Sequence, residues 1–181
     1  PGQDRGSHRR SEAGGSARVT VNKYQPHLLI VPEDDANKDL ALGFLTTYLG
    51  LRSRSVDVEP VAGGWGAARE ALGRLCRTMR TFSGRNVLVL VDFDQSETRH
   101  EEMLRDIPVE YKDRVYILGV WSEPEALQAA LGHMSRDKIG EKLARACGTG
   151  TDDTWNHDLL AHNAAEVERL CALLQQLRTD R

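Results

Sequence analysis

Three short, unbroken apolar runs constrain this chain more than any other feature. They are His27-Leu-Leu-Ile-Val31, Asn86-Val-Leu-Val-Leu-Val91 and Arg114-Val-Tyr-Ile-Leu-Gly-Val120. A strand with one wet face alternates apolar and polar residues, whereas a strand covered on both faces does not need to. Ser55-Val-Asp-Val-Glu-Pro60 alternates and reads as a further strand. Helical patterns fill the intervals. Leu40, Phe44, Leu45 and Tyr48 share one side of a helix that Gly50 stops. Residues 67–82 put Leu72, Leu75, Cys76 and Met79 on one face and Arg69, Arg77 and Arg80 on the other. A charged segment around His100 to Leu104 can hold a helix, and 123–131, 136–146 and 164–177 read as three more. Asn163 and Glu166 have capping-box spacing before the last of these. Strands alternating with helices predict an α/β fold, a compact Rossmann-like parallel sheet with helices on both faces and a helical C-terminal extension.

Residues 1–22 are nearly devoid of apolar side chains and read as a tail unable to offset its ordering entropy. The α/β domain is expected over 23–132 and the extension, packing on the same domain, over 133–181. The 181 residues carry 24 Lys+Arg against 27 Asp+Glu, a net charge of -3. That balance excludes a protein that coats nucleic acid or an anionic membrane by bulk positive charge. No run approaches the ~20 apolar residues of a membrane span, so no membrane partner is expected. Cys76, Cys147 and Cys171 are odd in number with no CxxC pair, which argues against a disulfide scaffold or a Cys-based zinc site and makes a reducing cytoplasm the default expectation.

Ligands of parallel α/β sheets bind at the carboxyl ends of the strands. Pro32-Glu33-Asp34-Asp35 follows the first strand, Asp92-Phe93-Asp94 the third, and Trp121-Ser122-Glu123-Pro124-Glu125 the fourth. If extended geometry persists, Asp92 and Asp94 project from one face and repel unless a cation neutralises them; taken alone, the pair reads equally as a solvated loop or a helix N-cap. A hard divalent ion, Mg2+ or Mn2+, suits such oxygen donors. Glu33 then stands as a third ligand or a general base. Asp34, Asp35 and Asn37 read instead as caps of the first helix. Gly63-Gly64-Trp65-Gly66 opens the second helix. Its backbone N–H groups can approach an anion, or the turn can simply anchor Trp65. Lys38 can reach a phosphate or face solvent. Over 67–85, Arg69, Arg74, Arg77, Arg80 and Arg85 stand against Glu70, a local charge of +4 that suits a polyanion or a solvated helix face. His157 and His162 have the wrong spacing for a helical metal pair.

Glu after the first strand, a Gly-rich turn before a helix, and DxD after a later apolar strand resemble the TOPRIM domain. The matching residues run from Leu28-Leu-Ile-Val-Pro-Glu33 through Val89-Leu-Val-Asp-Phe-Asp94 to about Leu127. The resemblance implies Mg2+ on Asp92 and Asp94, with Glu33 in proton transfer during phosphodiester cleavage. It adds Glu123 or Glu125 as a further acidic ligand, as in the OLD-like nucleases and other stand-alone versions. Asp34 stands where the family usually has Gly, and Gln95-Ser96-Glu97 replaces the small residue and Gly that often follow DxD. The expected activity is nuclease-like, with nucleic acid as partner, an ATPase subunit as a candidate protein partner and a homodimer as a candidate assembly. The alternative is a regulatory metal- or nucleotide-binding module that acts in a complex. A receiver-like phosphotransfer fold ranks last, because no Lys marks a fifth strand.

Overall fold

The computed structural model describes residues 21–50, 54–150 and 152–179. The expected tail at 1–22 therefore lies almost wholly outside the described residues. Four parallel strands form the sheet: β1 (His27–Pro32), β2 (Val56–Val58), β3 (Arg85–Asp92) and β4 (Val115–Val120), in the order β2-β1-β3-β4. The register pairs Ile30 with Leu88 and Val58, and Val89 with Ile117. Helices connect and cover them: α1 (Asp35–Leu49), α2 (Trp65–Met79), α3 (Glu97–Arg105), α4 (Pro124–Ala130), α5 (Arg136–Thr149) and α6 (Ala164–Thr179).

The apolar runs are continuous because both sheet faces are covered. Val31, Val87, Val89, Val91 and Ile117 meet Ala68, Leu72 and Met79 of α2 and Met103 of α3. The alternate residues Leu28, Ile30, Leu88, Tyr116 and Leu118 meet Ala41 and Leu49 of α1 and Leu170, Leu174 and Leu177 of α6. The C-terminal extension thus completes one face of the sheet. The chain folds as the α/β architecture expected, a compact parallel sheet between helical layers.

Helices α1 and α5 touch backbone to backbone. A Cβ on Gly43 would lie 2.1 Å from the Asp137 carbonyl oxygen, and one on Gly140 would lie 2.2 Å from that of Leu40. Only glycine allows so close an approach at this crossing.

Two expectations from the sequence are corrected. Asn163 does not form a capping box with Glu166, whose carboxylate instead accepts from Arg169. The Asn163 amide is buried and acts as an extra strand on the open edge of β4. Its Oδ1 accepts from Gly119 N at 3.1 Å, and its Nδ2 donates to the Gly119 and Leu160 carbonyls at 2.8 and 2.9 Å. Trp121 N continues the ladder to the Leu159 carbonyl at 2.9 Å. An edge strand leaves backbone groups that must find partners, and this segment supplies them. Secondly, Cys147 of α5 and Cys171 of α6 form a disulfide across a Cα separation of 5.6 Å, and only Cys76 is free. Helix packing, which cysteine count and spacing do not encode, brings them together. The ground for expecting a reducing compartment falls with it. Among the described residues, no helix is long and apolar enough to cross a membrane.

Candidate functional site

Four helices begin at the carboxyl edge of the sheet, and the acids predicted there divide according to their partners. Asp34 is the N-cap of α1: its Oδ1 accepts from Asn37 N at 2.8 Å and Asn37 Nδ2 at 3.0 Å. This is the capping role expected of it. Glu33, immediately before, extends the β1 ladder through its N–H to the Leu90 carbonyl at 2.9 Å. Its side chain crosses to β3, where Oε2 accepts from Asp92 N at 3.0 Å. The first-strand glutamate and the third-strand aspartate are therefore in direct contact.

Asp92 ends β3, and its Oδ1 accepts from Asn37 Nδ2 at 3.1 Å. Burial, joined by the charges of Asp34, Glu33 and Asp94, pushes its pKa up to about 7 against the lowering effect of the Asn37 hydrogen bond. Burial also raises the pKa of Glu33, opposed by the Asp92 N–H and by Arg99. Both carboxyls are poised to hold protons more readily than ordinary acids.

The extended DxD geometry is corrected. Asp94 and Gln95 are left-handed, with φ of 47° and 57°, so the strand ends at Asp92 and the chain turns. Buried Phe93 anchors that turn, and Gln95 N donates to the Trp121 carbonyl at 2.7 Å. Asp94 consequently meets Arg99 of α3, with Oδ2 2.5 Å from Nη1. The same Nη1 donates to the Asp92 carbonyl at 3.0 Å, and the guanidinium lies over the Trp65 ring at 5.1 Å. Arg99 and the bridging role of Asn37 were missed from the sequence. The only local signal was an arginine one helical turn after Ser96-Glu97, which does not reveal the turn that delivers Asp94 to it.

Gly63 and Gly64 have φ of 93° and 123°, and their N–H groups donate to the Glu33 carbonyl at 2.9 and 3.2 Å. The turn thus clamps the Glu33 backbone, and these two donors are not free for an anion. Gly66 lies within the first turn of α2, which has no side-chain cap, and a Cβ there would meet nothing within 4 Å. Lys38 is half-buried in the first turn of α1.

The other predicted residues lie apart from this group. Glu123 is exposed at the N-cap of α4, and Glu125 pairs with Arg136. The charges that act on Asp92 are those of Asp34, Glu33 and Asp94. Arg69 ties α2 to α3 through Glu102 at 3.1 Å and Asp106 at 2.6 Å. Arg77 and Arg80 are exposed at the far end of α2, about 18 Å or more along its axis from Trp65. Arg85 is buried at the opposite edge of the sheet, donating to His27 Nε2 at 3.2 Å. The local +4 is therefore spread over the fold and does not face the acids.

The oxygen donors suit a hard divalent ion, which binds through one or two carboxylates and retains water. Their arrangement is incomplete: among the described residues, no group of three His, Cys, Asp or Glu side chains converges to hold a metal. Glu33, Asp92 and Asp94 are each engaged by a donor of the chain itself. A separate cavity of about 70 Å³ lies between the sheet and α1, α5 and α6, lined by Leu28, Leu88, Leu118, Phe44, Trp155 and Leu174. It is apolar and shares only Asn37 with the acidic group. Against protein-family models, curated proteins and solved structures, the chain gives no match.

Proposed function

We propose that this chain cleaves nucleic-acid phosphodiesters with the help of Mg2+ or Mn2+, as a small TOPRIM-type nuclease. The observation that carries the reading is the contact of Glu33 Oε2 with Asp92 N at 3.0 Å, which joins the two halves of the E…DxD pattern at one sheet edge. Asp92 and Asp94 would hold the ion, whose contribution is Lewis-acid polarisation of a phosphoryl oxygen. Glu33 exchanges the proton. Its pKa is raised by burial, which brings a carboxyl closer to the range where it gives and takes protons efficiently. Asn37 orients the Asp92 carboxylate from α1. Gly63 and Gly64 fix the Glu33 backbone so that its side chain reaches β3.

Labelled single- and double-stranded DNA and RNA, incubated with the full chain in Mg2+ or Mn2+, test the proposal. Cleavage lost in D92A, D94A and E33Q supports it. No cleavage by the wild type in either ion defeats it for the isolated chain.

One observation favours the second reading, a regulatory metal- or nucleotide-binding module completed by a partner such as an ATPase subunit. Each acid already accepts from a donor of the chain itself, and Arg69, Arg77 and Arg80 do not face them. Mg2+ binding by calorimetry without cleavage, together with a co-purifying subunit or a dimer that restores it, selects this reading.

A further inference from the structure

The cavity on the α1 and α6 side of the sheet is larger than a packing gap. Its volume is about 70 Å³, where a single water needs only about 15 Å³. A buried water also needs about three polar partners, and the polar groups of this lining are already engaged. Asn37 Nδ2 spends both of its hydrogens, on Asp34 and Asp92 at 3.0 and 3.1 Å. Trp155 Nε1 donates to the Leu143 carbonyl at 3.1 Å, and Asn163 holds both the N–H and the carbonyl of Gly119. The space therefore favours hydrocarbon over water. An interior void normally closes as its walls relax inward. Here the surrounding helices are fixed in place. Gly43 and Gly140 seat α5 against α1, the Cys147–Cys171 disulfide joins α5 to α6, and Asn163 ties the start of α6 to β4. Leu90 stands on the central strand under these helices, lines the cavity and still keeps accessible surface.

We propose that this cavity is a binding site for a short, unbranched alkyl chain. The proposal is independent of the metal-dependent reading and makes no use of the acidic edge. Leu28, Leu88 and Leu118 form the floor, and Phe44, Leu45 and Leu174 supply the walls. Along α1 the lining runs from Asn37 to Leu45, about 12 Å at the helical rise of about 1.5 Å per residue. A volume of about 70 Å³ spread over that length is a narrow slot, which suits a chain better than a ring. A charged or hydrogen-bonding group inside would lose its water and find the donors above already spent, so the enclosed part is hydrocarbon. Phe44, Leu45 and Trp155 are partly exposed, so a polar end can remain in water.

The test is NMR of the full chain, 13C-labelled at its Leu and Val methyls. The ligands are butanol, hexanol, octanol, cyclohexanol and octyl glucoside below its micellar concentration. Hexanol is expected to move the methyls of Leu88, Leu118 and Leu174 and the Trp155 indole N–H, and to leave Val87, Val89 and Val91 on the opposite face unmoved. Affinity should rise about fourfold per added methylene until the slot is full and then level off. Cyclohexanol should bind more weakly than hexanol. Octyl glucoside, whose sugar cannot enter, separates the two sources of such a chain. Its binding at the same methyls assigns the alkyl end of a larger molecule, and its exclusion while octanol binds assigns a small molecule enclosed whole. Methyls unmoved at millimolar alcohol, equal shifts on both faces, tighter binding of cyclohexanol, or affinity that climbs without levelling off each overturn the proposal. Ala41→Leu, which fills the cavity from α1, should abolish the shifts with the circular dichroism unchanged, and a folded variant that still binds also overturns it. Where that variant does not fold, the wild-type titration decides.

Discussion

Asp92 is a charge held where water reaches it poorly, and removing that charge should stabilise the protein. Asp92→Asn preserves the side-chain shape and keeps an oxygen for the Asn37 Nδ2 donor at 3.1 Å. The native carboxyl titrates near 7 instead of the ordinary 3.8. Between those values the folded protein holds a proton that the unfolded chain has released, so stability falls as pH rises from about 4 to 7. A shift of about 3 units is worth at most about 4 kcal/mol, at 1.36 kcal/mol per unit. The side chain is only partly buried and solvent screens its neighbours, so about 2 kcal/mol is the realistic gain. For a chain of this size that corresponds to about 4–8 °C in Tm. Urea denaturation followed by circular dichroism, in EDTA at pH 4, 6 and 8, measures it. The Asn variant should match wild type at pH 4 and exceed it at pH 8, with part of the wild-type slope surviving because Glu33 shifts in the same direction. A gain equal at pH 4 and pH 8 would reflect packing, and no gain at pH 8 would refute the assignment of Asp92 as a destabilising charge.

Asn163→Ala should cost about 3 kcal/mol in urea denaturation, because it leaves the Gly119 N–H and carbonyl without partners; a loss under about 1 kcal/mol contradicts the edge-strand role. Gly140→Ala should cost about 2 kcal/mol by thermal melting despite the better helix propensity of alanine, since its Cβ would meet the Leu40 carbonyl at 2.2 Å. An unchanged Tm would show that α1 and α5 are not in backbone contact. Cys147→Ser should lose about 3 kcal/mol, the loop-closure entropy for a sequence separation of 24 residues. Dithiothreitol should lower the Tm of wild type towards that of this variant and leave the variant unchanged. If the dispersed arginines do not act together on nucleic acid, the log–log salt slope of binding should be no steeper than about −2. A slope near −4 would mean that the dispersed arginines act together after all.

The parts of this fold that were legible in the sequence are those set by local pattern. Val87 to Val91 read as a strand covered on both sides, and Leu72, Cys76 and Met79 as the core-facing side of a helix, and both face the core. The acids at the strand ends were likewise placed by topology, since every parallel strand ends at the same edge. What escaped depends on distance through space. Gly43 and Gly140 lie almost a hundred residues apart in the chain, and nothing near either announces the other. Asn163 looked like a cap because the residues beside it fit that pattern, whereas the need it meets belongs to Gly119. Asp94 was misjudged for a related reason. Whether a strand continues for two more residues is decided by the buried anchor Phe93 and the Trp121 carbonyl, not by the letters D-F-D.

A purely structural acidic edge is an ordinary thing in this architecture, because the positive ends of helix dipoles gather there and favour carboxylates within the first turn. Such an edge would show each acid matched to a helix N-terminus or to an arginine. Asp34 is so matched, by Asn37 N at 2.8 Å. Asp94 is matched by Arg99 at 2.5 Å, and Glu125 by Arg136. Glu33, which accepts from the Asp92 N–H of β3, and Asp92 are the exceptions. The Asp92 carboxylate receives one neutral amide donor at 3.1 Å, while Arg99 reaches only its backbone carbonyl at 3.0 Å. The group pushed up to about 7 is thus one whose charge no cationic side chain meets. Capping and ion pairing account for Asp34, Asp94 and Glu125 but not for Glu33 and Asp92, so helix ends alone do not explain this edge.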